Sequence, residues 1–224
     1  DIKAMVGYIK IYENIFSPTL VLELGIRDES NFFEEFGITG NEVIELEILT
    51  KALDVEQTIK HTFFVTKYHD FAKGKDLQVQ VYTLTAVSEF AYVAPLKTIS
   101  RAVSGDSINT VKNIFKNDLN QKVIVKGNSS SSYDGIITIN NPLSAALDIL
   151  DKSFDDNNTP YMLFQQLNGN VYVAPLSHLT NFDENPVYKT IQNKNESEAN
   201  PDTPEEYLEK STMMTEVTSN INIS

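Results

Sequence analysis

Chemistry starts with side chains that can take a proton, attack a carbon or hold a metal, and this sequence offers few. Cysteine is absent and histidine occurs at three positions, His61, His69 and His178. Without cysteine there is no disulfide, no thiolate metal site and no sulfur nucleophile. His69 is followed by Asp70, but neighbours in a strand point to opposite faces, so no relay between them is expected. His61 shares the parity of His69 in one candidate strand, and it reads as a surface or interface residue. No Gly-x-Ser-x-Gly elbow is present to present a nucleophile.

Metal and phosphate chemistry is equally thin. Asp155-Asp156-Asn157-Asn158 is the one metal candidate, and it lacks the alternating ligands, central Gly and distant Glu of a calcium loop. It reads as a helix end followed by a polar turn. Gly105-Asp106-Ser107 has neither a Gly-rich run nor a following Lys-Ser or Lys-Thr, so it is not a phosphate loop. The carboxylate pairs Glu34-Glu35, Glu45/Glu47 and Glu205-Glu206 fall where solvated faces are expected. No catalytic residue, cofactor or metal site is therefore expected, and an enzyme is disfavoured.

Composition bounds the rest. With 41% hydrophobic and 22% charged residues over 224 positions, the chain can bury one large core or two small ones. The formal charge of −13 disfavours a nucleic-acid or anionic-lipid ligand. No window approaches the roughly 20 apolar residues that span a bilayer, and the start is not a signal peptide. A soluble protein without membrane binding is expected. The sequence opens on Asp1 rather than Met, which reads as a fragment or a processed product.

These residues need elements to position them. Ile44-Glu45-Leu46-Glu47-Ile48 alternates apolar and acidic, the period of a half-buried strand. Further strands are expected at Gly7–Tyr12, Thr19–Ile26, Ile59–His69 and Leu77–Ala86, with a Gly-centred turn at Ala72–Asp76. A short helix, capped by Ser30, facing inward through Phe32, Phe33 and Phe36 and ended by Gly37, would plug the end of a barrel. After Val87 the pattern changes. Asp106 or Ser107 caps a helix carrying Ile108, Val111, Phe115 and Leu119. Asn141-Pro142 starts another with Leu143, Ala146, Leu147, Leu150 and Phe154. The helices would cover one sheet of Lys122–Val125, Gly135–Ile139 and a hairpin, Tyr161–Leu167 with Val171–Ala174. The polar stretch Gly127–Ser132 reads as a mobile loop.

The expected fold class is α+β, an antiparallel tube-like β-barrel domain over 1–87 with an inserted or following small α/β domain over 88–184. Residues 185–224 form an acidic connector around Glu196, Glu198, Asp202, Glu205, Glu206 and Glu209, with a candidate returning strand at Thr215–Ser224. Tyr92-Val93-Ala94-Pro95-Leu96 recurs as Tyr172-Val173-Ala174-Pro175-Leu176, either a duplication mark or a coincident use of Pro to end an extended segment.

The opening Tyr8-Ile9-Lys10-Ile11-Tyr12-Glu13-Asn14-Ile15-Phe16, followed by a strand and then Ile38-Thr39-Gly40-Asn41-Glu42, resembles the start of baseplate hub subunits of contractile-tailed, T-even-like bacteriophages. Ser100-Arg101-Ala102-Val103-Ser104-Gly105, the helix after it and the hairpin Tyr161-Met162-Leu163-Phe164 follow in that family's order. The resemblance covers roughly residues 7–188. It implies a virion protein of the tail baseplate, assembled in the host cytoplasm. In that setting a homotrimeric ring joins the tail tube and tube-initiator proteins to a central spike protein, and DNA passes without specific binding. The sequence departs from the pattern in showing one tube-like domain where two are usual.

Double-stranded DNA carries a negative charge about every 1.7 Å, so a conduit must not hold it. Glu45 and Glu47 are the candidate lumen-facing residues, an acidic wall by this reading. The alternative is a cell-wall glycan-binding module of a phage tail, suggested by Gly105-Asp106-Ser107 before a helix.

Overall fold

A computed structural model describes residues 2–52, 55–74, 79–127, 131–180 and 217–223. The expected acidic connector lies outside them, as do part of the expected Ala72–Asp76 turn, residues 128–130 of the polar loop and the side chain of Phe36.

The first half of the chain builds an antiparallel sheet from β1 (Val6–Tyr12), β2 (Val21–Asp28), β3 (Val43–Ala52), β4 (Val55–Lys73) and β5 (Gln80–Ser88). Its order is β1-β2-β5-β4-β3, and a sixth strand, Val217–Ile223, adds on the far side of β3. Alternation decides which face is covered: Leu22, Leu24, Ile26, Ile44, Leu46, Phe63, Val65, Tyr82, Leu84 and Ala86 form one core. The sheet curls over that core as a half-barrel. Among the described residues the sheet does not close into the expected barrel: β1 and the sixth strand each pair in a ladder on one side only, and the sixth strand also lies beside the turn Lys3–Met5 that leads into β1.

The core side of the sheet is stoppered by helix α1 (Phe32–Phe36). Asn31 occupies its N-cap position at φ 57, and no side chain of Asn31 or Ser30 caps it. The capping carboxylate comes instead from Asp28 at the end of β2, which accepts from Phe33 N at 2.8 Å and Ser30 N at 3.0 Å. Gly37 ends the helix at φ 65 as expected. Phe33 then meets Tyr68, Phe71 and Tyr82 with ring centroids 5.2, 5.3 and 5.2 Å away.

From Ser88 the chain enters a second core. It consists of α2 (Glu89–Val93), β6 (Ile99–Val103), α3 (Ser107–Asp118), β7 (Val123–Val125), β8 (Gly135–Asn140), α4 (Pro142–Leu150), β9 (Tyr161–Gln165), β10 (Val171–Pro175) and α5 (Leu176–Thr180). Asp106 caps α3 through Asn109 N at 2.6 Å, and Asn141 caps α4 through Ser144 N at 2.8 Å. Ile108, Val111, Ile114 and Phe115 from α3 meet Ala145, Ala146, Ile149 and Leu150 from α4. The strands do not form one sheet: β7-β10-β9 is one layer and β6-β8 a separate pair. Helix α4 also stops at Leu150, short of Phe154, because Ser153 and its neighbours turn back into the bridge between Phe154 and Pro160.

The repeated Tyr-Val-Ala-Pro-Leu does not mark a repeated structure. Its first copy is helical and its second is β10 running into α5. We number the sixth strand of the large sheet, Val217–Ile223, β11.

Candidate functional site

The face of the large sheet away from its core carries the residues expected to line a channel. Glu45 is exposed on β3 opposite Thr62, and Glu47 stands opposite Lys60, whose ammonium lies 3.3 Å from it. Following the register across the sheet, Lys10 faces Glu23 and Lys67 faces Thr85 on the same side. The face thus interleaves Lys10, Lys60 and Lys67 with Glu23, Glu45 and Glu47, and is not the acidic wall that a net charge summed over the whole chain suggests.

Tyrosines at the β1 edge complete this face. Tyr12 donates to Glu23 at 2.8 Å, and the Tyr8 hydroxyl reaches Thr83 Oγ1 at 2.9 Å. The Tyr8 ring lies flat over Gly25, where any Cβ would overlap it. Beyond β1, Ile15 and Phe16 are exposed, Phe16 at 73%.

The two cores meet at a joint built from two contacts. In the first, Ile38-Thr39-Gly40-Asn41-Glu42 is folded on its own carboxylate: Glu42 accepts from Thr39 N at 2.6 Å and Gly40 N at 2.8 Å. Partial burial raises the Glu42 pKa, but these amides outweigh it and hold the carboxyl below its ordinary range. Gly40 sits at φ 88, a conformation few other residues tolerate. Tyr92 from α2 donates to Asn41 Oδ1 at 3.1 Å, and its ring stacks on Phe64 at 5.0 Å.

The second contact is a buried chain of polar groups. Ser88, the last residue of β5, donates to Gln165 Oε1 at 2.6 Å, and Leu20 N donates to the same oxygen at 3.2 Å. Leu20 N can only donate, which fixes the amide orientation of Gln165. Ser88 has spent its one proton, so its oxygen accepts from His61 Nε2 at 3.0 Å. Leu20, Ser88 and Gln165 are all buried. Nearby, Leu167 packs on the large sheet's core, and its N–H donates to Glu13 at 2.8 Å.

His61 was expected at a surface or interface, and it sits at this joint. A bulge in β4 between Val65 and Lys67 puts His69 on the opposite face from His61 despite their shared parity, and a second, between His69 and Ala72, contains Asp70. Asp70, at φ 57, turns back so that Oδ2 lies 2.7 Å from His69 Nδ1. Neighbours in a regular strand could not meet in this way. Thr85 Oγ1 lies 3.0 Å from Nε2, which completes a hydroxyl–imidazole–carboxylate order. These groups stand on the open sheet face, and neither of the cavities described below includes them.

Asp155 accepts from Thr159 N at 2.7 Å, Asn157 N at 3.0 Å and Ser177 Oγ at 2.5 Å. The Ser177 hydroxyl, and then the amides, draw its pKa down to about 2. That is a turn closed on a carboxylate, and among the described residues no group of three or more ligands could hold a metal. Asp106 is spent on capping α3, and Asp134 on Ser104. A cavity of about 470 Å³ under the sheet is apolar, lined by Ile2, Met5, Ile26, Phe32 and Leu84, with Glu42 at its rim. A smaller one, about 220 Å³, lies beside β8 and α4. No helix among the described residues is long and apolar enough to cross a membrane.

No protein-family model matches the chain, and no curated protein matches it. Two solved structures to which it is similar are tail proteins. The 43 kDa tail protein of prophage MuSo2 from Shewanella oneidensis superposes with a TM-score of 0.45 at 12% identity, over 74% of this chain and 49% of that one. The tail protein from Neisseria meningitidis MC58 gives 0.41 at 11% identity, over 74% and 44%. The chain spans about half the length of the structures it matches.

Sequence reasoning missed the joint. Ser88, Gln165 and His61 are far apart in sequence, and no local pattern links them. The one available signal was Gln165 itself, a polar residue at an inward position of a strand whose neighbours are apolar. The Ile-Thr-Gly-Asn-Glu segment was singled out on resemblance, and its physical content is the Glu42 staple.

Proposed function

We propose that the chain is a structural, non-enzymatic subunit of a phage tail, a wall element of the baseplate hub. In this reading three copies form a ring, the large sheets supply a tube-like wall, and the second core forms a small α/β domain packed beside it. The ring joins the tail tube and its initiator to a central spike, and DNA passes through it. The observation that carries the reading is the large sheet itself, curled, covered on one face and ending in strands β1 and β11 that each have a single ladder partner among the described residues. A sheet ending in a strand paired on one side only is suited to continue into neighbouring copies. Ile15 and Phe16, exposed beyond the end of β1, supply apolar surface for the same contact. The order of sequence segments resembling hub subunits supports it independently.

Within this reading the face bearing Glu45 and Glu47 lines the channel. Lysines and glutamates interleaved on that face would give a passing polyanion no continuous strip of positive charge to grip. The chain contains no cysteine, so single cysteines report cleanly. In the assembled ring, Glu45→Cys and Glu47→Cys should react with a small maleimide but not with one attached to a particle wider than the channel. Lys112→Cys on α3 should react with both. Equal reaction of all three with the wide probe would place this face outside the ring.

A further inference from the structure

The joint contains a titratable group that nothing in the wall function uses. His61 ends a one-way hydrogen-bond chain: its Nε2–H donates to Ser88, Ser88 donates to Gln165, and Gln165 is held by Leu20 N–H. The proton on Nε2 leaves Nδ1 bare in the neutral ring. Nδ1 faces Gly169, where an added Cβ would lie 3.7 Å away, and the ring packs on Phe63 at 4.4 Å between centroids.

We propose that this joint is an acid-operated clasp, in which proton uptake by His61 releases the 165–169 hairpin from the large sheet. A second proton must go to Nδ1, against the hairpin turn, where it meets no acceptor among the described residues. His61 is half-buried, and the charge gains full hydration when the hairpin moves away.

The surroundings offer little compensation. On β3 the partner of His61 is Leu46, while Glu45 and Glu47 point to the opposite face, as does Lys60 on its own strand. On β5 it meets Ser88, and the next residue, Glu89, is exposed. The hairpin turn Gln166–Asn170 has no titratable residue, and the β1–β2 loop offers Glu13, whose carboxylate holds Leu167 N. Burial alone accordingly lowers the pKa of His61. The sign follows: the closed joint disfavours the proton, so closure is complete at neutral pH and is lost as pH falls below the ordinary histidine value. His61 then acts by changing how firmly the two cores are held together.

The test uses the 224-residue chain carrying Lys10→Cys on β1 and Lys112→Cys on α3, both exposed, with a spin label on each. The inter-label distance is measured at pH about 7.5 and about 5, which brackets histidine titration. A narrow distribution that broadens or lengthens in acid, and that stays narrow in His61→Gln but not in His69→Gln, is the expected result. An unchanged wild-type distribution, or an equal response in His61→Gln, overturns the proposal. If His61→Gln does not fold, the His61 ring is titrated by NMR in the wild-type chain. A midpoint coinciding with the distance change supports the clasp, and a midpoint separated from it overturns it.

Discussion

Gly25 shows how much one missing side chain can decide. Tyr8 crosses the neighbouring strand over it to bond Thr83, so Gly25→Ala must displace the ring and lose that bond. The expected cost is about 1–3 kcal/mol by urea unfolding. Tyr8→Ala in the same background should recover the steric part, and a strictly additive double variant would contradict the overlap. Asp155 gives a prediction in pH. Its carboxyl is held down to about 2, so the turn's stability is present above the ordinary carboxylate value and is lost as pH falls through that lowered midpoint. Ser177→Ala should move the NMR midpoint of Asp155 upward, because the Ser177 hydroxyl is its strongest support. These residues were unequally legible. Asp155 could be read as a turn rather than a calcium loop because ligand spacing is local. The meeting of His69 with Asp70 could not, since it depends on a bulge that leaves no mark in composition.

Among the elements, helices declared themselves best. Asp106 and Asn141 are recognisable caps, and the apolar spacing behind Asp106 gives the buried stripe of α3, whereas behind Asn141 it gives Ala146 and Leu150 of the buried stripe of α4 and passes over Ala145 and Ile149. Capping is local chemistry, written within a few residues. Strand pairing is not. The split of β6-β8 from β7-β10-β9, and the opening of an expected barrel, depend on register between distant segments. The Thr39–Glu42 loop lies between these cases. Glu42→Ala removes the acceptor for two amides and loosens the loop that Tyr92 grips. The expected loss is about 1–3 kcal/mol in unfolding free energy. Glu42→Gln, which keeps one oxygen, should lose less. Equal effects of the two variants would mean that the loop is held by packing instead.

At the scale of the whole molecule, two cores share a joint in which Leu20 N, the Ser88 hydroxyl and the Gln165 amide oxygen are buried and bonded to one another. Gln165→Leu keeps the bulk but strands Leu20 N–H, at an expected cost of about 1–3 kcal/mol, while the Ser88 hydroxyl can turn its proton to His61 Nε2. Amide exchange at Leu20 should rise more than in the centre of α3. Unchanged protection at Leu20 would contradict the joint as described. The composition allowed one large core or two small ones, and the change of pattern near Val87 suggested two. What ties them is tertiary, and only coordinates reveal it.

The most direct test of the hub reading is mass by light scattering across a range of concentrations. The account predicts a species of three times the 25.2 kDa chain, lost when Ile15 and Phe16 are replaced by serine in a chain that remains folded. A 25.2 kDa species at every concentration would contradict it.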